Sequence, residues 1–154
     1  MSARMEVTDM FAYTRIFFAF ALYLCIFPPA DAQAGKITAT DRQAIRTMIS
    51  NQIEAFSRDD GKAAYDYAAP AIQKMFSSTD RFMAMIREKY PPVYRARSVT
   101  FAEFGEASGG ALQKVFLTGP NGKIWIAGYF AERQADGSWR ISGCNLAADD
   151  SPHI

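Results

Sequence analysis

Residues 111–146, ALQKVFLTGPNGKIWIAGYFAERQADGSWRISGCNL, decide the fold. Three runs rich in β-branched and aromatic residues, Ala111 to Thr118, Lys123 to Gln134 and Trp139 to Leu146, alternate with Gly119-Pro120-Asn121-Gly122 and Asp136-Gly137-Ser138. Such runs suit a pleated, half-buried surface, and short glycine-containing loops join antiparallel neighbours. A further run, Val93 to Phe104, precedes the turn Gly109-Gly110, so a meander of four strands is predicted for the C-terminal half. Asn121-Gly122 tolerates the positive φ angles of tight hairpins and is expected to link the second and third strands. Gly128 and Gly143 fall inside strands, where glycine permits a bulge or bend, and a strongly curved sheet follows. Trp139 and Ile141 share one face of the last strand, which is predicted to lie inside the sheet against helices.

Upstream the apolar period changes from two to helical. Ile45, Met48, Ile49, Ile53 and Phe56 recur at helical spacing behind Thr40-Asp41-Arg42-Gln43, which reads as a capping box between Thr40 and Gln43. Asp60-Gly61 ends this helix near Asp59, and Asp60 caps a short second one through Ala63, Ala64, Tyr65, Tyr67 and Ala68. Pro70 opens a third with Ile72, Met75 and Phe76. After Ser77-Ser78-Thr79-Asp80 a fourth carries Phe82, Met83, Ile86 and Tyr90, until Pro91-Pro92 stop it. Helices first and a curved antiparallel sheet after them define an α+β layer pair, with the helices in the concave face.

The N-terminus obeys a different logic. Ile16 to Phe27 is the uncharged run IFFAFALYLCIF, shorter than the roughly 20 residues a membrane span needs. Arg4 and Arg15 precede it, and Ala30-x-Ala32 and Ala32-x-Ala34 follow, the small-residue pattern of a signal-peptidase site. Residues 1–34 are therefore expected to be a signal peptide, cleaved after Ala32 or Ala34, that sends the domain of residues 35–146 to the periplasm or beyond the cell. Glu6 and Asp9 are unusual in such a flank, and a start at Met10 would remove them. An uncleaved anchor is the alternative; a lipoprotein is disfavoured, because bulky Leu22-Tyr23-Leu24 precedes Cys25. Residues 147–154 are expected to be a frayed tail.

Composition excludes several functions. The chain of 154 residues, 49% hydrophobic and 14% aromatic, suits one core. Seventeen basic against sixteen acidic residues give a formal net charge of +1 without clustering, so nucleic acid is not expected as a partner and the membrane enters only through the leader. With Cys25 gone, Cys144 is the one thiol of the mature domain, which has no internal disulfide; core packing is its expected role. His153, near the C-terminus, is the one histidine, which disfavours a Cys-His pair and a transition-metal site. No metal or other cofactor is predicted.

QIEAFSRDDGKAAYDYAAPAIQKMF (52–76), FMAMIREKYPPVYR (82–95) and GSWRISGC (137–144) together resemble a family of short exported bacterial proteins known as domain of unknown function 4864. The resemblance runs from about Gln43 to about Cys144. It implies the cone-shaped fold of the nuclear transport factor 2-like superfamily, in which helices and a bent sheet enclose a pocket. That superfamily includes isomerases, dehydratases, hydrolases, ligand carriers and interaction modules, so fold alone does not choose among them.

Each site candidate also has a plain structural role. Asp59 and Asp60 are explained by turning and capping, and Asp66 is expected to face water. Arg95 and Arg97 share a face of the predicted first strand with Val93, Val99 and Phe101, where they either grip an anion at a pocket mouth or are simply solvated. Tyr90, Tyr94, Trp125, Tyr129 and Trp139 are expected as core or rim packing and make an aromatic-lined pocket reasonable. The ligand-binding candidates are Tyr90, Arg95, Arg97 and Tyr129, with no catalytic residue. The expectation is a non-catalytic module for a small apolar or anionic ligand or a protein partner, with a homodimer left open. The alternative is a cofactor-free isomerase or hydrolase using Asp66 or Tyr65 with Tyr129 as donor.

Overall fold

The computed structural model describes residues 36–149. The apolar run and the processing sites of the expected leader lie outside the described residues. So does His153.

The first helix, α1 (Ala39–Ser57), buries Ile45, Met48, Ile49, Ile53 and Phe56 as the periodicity requires. Its capping box lies two residues earlier than predicted. Thr38, not Thr40, is the N-cap: its hydroxyl accepts from the Asp41 N–H at 3.1 Å, and the Asp41 carboxylate accepts from the Thr38 N–H at 2.9 Å. Aspartate at the third helical position closes the box as the expected glutamine would have. Asp60 caps α2 (Gly61–Asp66) through the Ala63 N–H, and Pro70 begins α3 (Pro70–Phe76), both as expected. Ser78 caps α4 (Thr79–Lys89), whose Phe82, Met83 and Ile86 are buried.

Pro91-Pro92 end α4 and also start a further turn, α5 (Pro91–Tyr94). The predicted first strand therefore begins too early. Val93 and Tyr94 are helical, and β1 spans Ser98–Ala107. Proline in the first helical turn has its φ preset and needs no N–H, which outweighs the β-branched character of the residues after it. Arg95 and Arg97 accordingly lie between α5 and β1, not on a strand.

The remaining strands are β2 (Gly110–Thr118), β3 (Ile124–Arg133) and β4 (Trp139–Ala148), paired antiparallel in the order β1-β2-β3-β4. Between β2 and β3, Gly122 takes φ +79° while its N–H donates to the Gly119 carbonyl at 3.0 Å. Only the glycine of the Asn-Gly pair is left-handed, with Asn121 turning within ordinary φ. The expected tail is shorter than drawn, since Ala147 and Ala148 pair with Ile126 and Trp125. Nor is β4 interior to the sheet: it is an edge strand, shielded by the chain after α2, where Ala68 bridges Ile141 and the Ala69 N–H donates to the Ile141 carbonyl at 2.8 Å.

Two bulges bend this sheet. In β1 the register slips between Phe101 and Phe104, and the carbonyls of Ala102 and Glu103 accept from the buried Gln113 side chain at 3.1 and 3.2 Å. In β4, Phe130 faces Gly143 while the next residue, Ala131, faces Ile141, which leaves Ser142 as the extra residue. Gly143 flanks this bulge as expected. Gly128 makes none, pairing regularly with Lys114 and Asn145. Helix α1 crosses the inner face and meets both β1 and β4. None of the described helices is long and apolar enough to cross a membrane.

Candidate functional site

The β4 bulge determines which side chains reach the interior. Strand residues alternate, so Trp139 and Ile141 facing inward would place Gly143 and Asn145 inward and Cys144 outward. One extra residue reverses that parity beyond Ser142 and brings Cys144 opposite Tyr129 on the core face. Tyr129 is 1% exposed.

Between this sheet face and the helices lies a cavity of about 320 Å³. Phe56 on α1, Ile72 and Phe76 on α3, and Phe82 and Ile86 on α4 wall it. The Phe82 ring organises this wall, with centroids 6.1 Å from Phe56, 5.4 Å from Tyr65 and 5.6 Å from Phe76, the latter two in edge-on geometry. Its polar lining residues are Gln52, Tyr90, Tyr129, Cys144 and Asn145. Among the described residues, no lysine, arginine, histidine, aspartate or glutamate lines it. Met75, at its edge, is 74% exposed, an unusual position for a large apolar side chain.

Most of the polar groups are already committed. The Tyr90 hydroxyl donates to the Cys144 carbonyl at 3.0 Å, and the Gln52 side-chain amide donates to the Ala64 carbonyl at 3.1 Å. The Tyr129 hydroxyl is buried without a hydrogen-bond partner among the described residues. Burial pushes its ionisation well above the usual phenol range, and the Cys144 thiol beside it adds to the effect. The polar groups nearest to it are the Cys144 thiol and the Tyr90 hydroxyl. Cys144 is half-buried as a residue, but desolvation pushes its thiol up to about 12. Burial also raises Tyr90.

The structure thus brings together two of the four ligand-binding candidates, Tyr90 and Tyr129. Arg95 and Arg97 do not line the cavity. The Arg95 guanidinium grips Asp59 at 2.8 and 3.0 Å, donates to the Phe56 carbonyl at 2.7 Å and packs 3.8 Å from the centre of the Tyr94 ring. Asp59, in the left-handed region at φ 57°, also accepts from the Tyr94 hydroxyl; that bond and then Arg95 hold its carboxyl below the ordinary range. Arg95 so closes the C-terminal end of α1. The Arg97 side chain is exposed, and its backbone N–H donates to the Thr118 carbonyl at 2.8 Å. Asp66 pairs with Lys62 at 2.7 Å on the surface, and the Tyr65 hydroxyl donates to the Gln73 carbonyl.

Gln52 and Cys144 are cavity residues that the sequence reading missed. Gln52 left a signal: it lies three and four residues from Ile49, Met48 and Phe56, a polar residue on an apolar stripe. Cys144 packs against the core, as expected, but its place at the cavity left no signal, because a bulge one residue long decides its face.

These features define an α+β domain of short helices over a bulged antiparallel meander, with an uncharged lateral cavity between the layers. The chain belongs to the family described as domain of unknown function DUF4864, whose family model matches residues 38–154. No curated protein shows significant similarity to it. Among solved structures, it is similar to an NTF-2 like protein of unknown function from Burkholderia xenovorans LB400, at 13% identity over 73% of this chain and 88% of that chain, with a TM-score of 0.45.

Proposed function

We propose that this protein is an exported, non-catalytic module that binds a small, predominantly apolar ligand between α1, α3, α4 and the inner face of β3 and β4. The observation that carries the reading is the cavity of about 320 Å³, walled by aromatic and aliphatic side chains and, among the described residues, free of charged ones. Its size falls at the lower end of small-molecule sites, roughly 300 to 1,000 Å³, which are mostly apolar with few polar groups. The acid-base alternative would use Asp66 or Tyr65, and both are engaged elsewhere, Asp66 with Lys62 and the Tyr65 hydroxyl with the Gln73 carbonyl. Export is proposed from the apolar run at 16–27 and its Ala-x-Ala exit.

Titration with the neutral fluorophore N-phenyl-1-naphthylamine tests binding. Saturable binding is expected, and Met85→Trp, which places a larger ring at the half-buried α4 wall, abolishes it while the far-ultraviolet circular dichroism stays unchanged. Absence of saturation, or unchanged binding by a folded Met85→Trp variant, would refute the reading. For export, N-terminal sequencing of the fractionated protein should begin at Gln33 or Gly35; a retained initiator methionine rules export with cleavage out.

A further inference from the structure

We infer that the occupant of the cavity is a neutral molecule whose principal polar feature is a carbonyl oxygen, held by the Tyr129 hydroxyl. This rests on the reading above that the cavity binds a ligand. Tyr129 lines the cavity, is 1% exposed, and carries a buried hydroxyl with no partner among the described residues. Buried hydroxyls are ordinarily satisfied, so an unsatisfied one in a ligand-sized cavity marks the point where a ligand atom completes the structure. The nearby donors are not interchangeable with it: the Tyr90 hydroxyl serves the Cys144 carbonyl, the Gln52 amide serves the Ala64 carbonyl, and Asn145 is exposed to water rather than buried. The other buried donor without a partner, the indole N–H of Trp125, does not line the cavity.

The ligand's charge follows from the walls. Among the described residues no cationic side chain lines the cavity, and the environment already resists negative charge, since burial raises the ionisation of both Tyr129 and Cys144. A carboxylate or phosphate would lose its hydration without gaining a counter-ion. A ketone, aldehyde, ester or amide carbonyl accepts the phenolic proton as a hydrogen bond and stays neutral. No covalent step is implied: with its ionisation pushed up to about 12, the Cys144 thiol holds little of the thiolate that attack on a carbonyl requires.

A matched series separates the ligand's class from binding itself. The purified protein is titrated by calorimetry with 2-acetylnaphthalene, 2-ethylnaphthalene and 2-naphthoate, which share a ring system and differ in a neutral carbonyl, no acceptor and an anion. The ketone is expected to bind about tenfold tighter than the hydrocarbon, the increment of one hydrogen bond, and the carboxylate most weakly. Tyr129→Phe removes the preference for the ketone over the hydrocarbon. This variant keeps the ring that packs in the core and deletes only an unpartnered hydroxyl, so its melting temperature should not fall. Equal affinity for ketone and hydrocarbon, a ketone preference surviving in Tyr129→Phe, or tightest binding of naphthoate would each overturn the inference while the binding reading stands. Failure of all the probes, together with N-phenyl-1-naphthylamine, would overturn both.

Discussion

The Arg46 guanidinium on α1 donates to the Gln113 side-chain carbonyl on β2 at 3.0 Å, joining the first helix to the sheet at the β1 bulge. Gln113 is fully buried, and its amide nitrogen meets the carbonyls of Ala102, Glu103 and Lys114. One side chain therefore satisfies the groups that the register slip removes from the ladder, and also fixes the helix above them. Gln113→Leu keeps the approximate volume but leaves those carbonyls and the Arg46 donor without this partner. Destabilisation by about 1–3 kcal/mol is expected in urea unfolding. A change within about 0.5 kcal/mol would show that solvent readily replaces the glutamine.

Arg95 offers a second test, in which a structural role contrasts with a ligand-binding one. Its hydrogen bond to the Phe56 carbonyl closes α1, and the ion pair with half-exposed Asp59 adds little in water. Arg95→Ala should lower stability by about 1 kcal/mol and leave N-phenyl-1-naphthylamine affinity unchanged. Lost affinity at unchanged stability would instead place Arg95 at the ligand.

Asp41 ties stability to pH. Its carboxylate accepts first from the Thr38 N–H and hydroxyl, and also from the Trp139 indole at 3.1 Å and Arg133 at 2.7 Å, which hold it far below the ordinary carboxyl range. A carboxyl depressed in the folded state stabilises it fully above the unfolded value, near about 4, and loses that contribution as pH falls toward the folded value. Wild type should lose stability more steeply than Asp41→Asn between about pH 4 and about pH 2. Parallel unfolding midpoints across that window would show that the carboxylate contacts do not persist in solution.

The Cys144 thiol should be chemically quiet. Because the thiolate is the reactive form and burial pushes its ionisation up to about 12, alkylation by iodoacetamide near about pH 8 should run more than about tenfold slower than in denaturant. A bound cavity ligand should slow it further. Native labelling as fast as in the unfolded chain would place the sulfur in solvent rather than in the cavity.

Local chemistry makes much of this architecture readable in the sequence. The apolar spacing from Ile45 to Phe56 specified a helix and its buried face, Asp60 and Pro70 marked helix starts, and glycine at 122 and 137 marked turns whose φ angles are +79° and +83°. The errors arose where one residue had two competing local meanings. Thr38 and Thr40 both suit an N-cap, and Pro91-Pro92 both stop one helix and begin another.

By itself, the sequence determined the first four helices, the antiparallel meander after them and most of the core, because these depend on periodicity and turn chemistry within a few residues. The tertiary structure alone decided the site. Arg95 became the clasp of Asp59 and the Phe56 carbonyl through contacts 36 and 39 residues apart. Ser142 reversed the parity of β4, and only then did Cys144 come to face Tyr129 across the strands. A bulge shifts side chains by whole faces while scarcely altering the pattern of residue types, and a cavity is bounded by residues distant in the chain. Neither is encoded in local spacing, which is why Tyr129 was legible as a pocket aromatic but not as a buried hydroxyl without a partner.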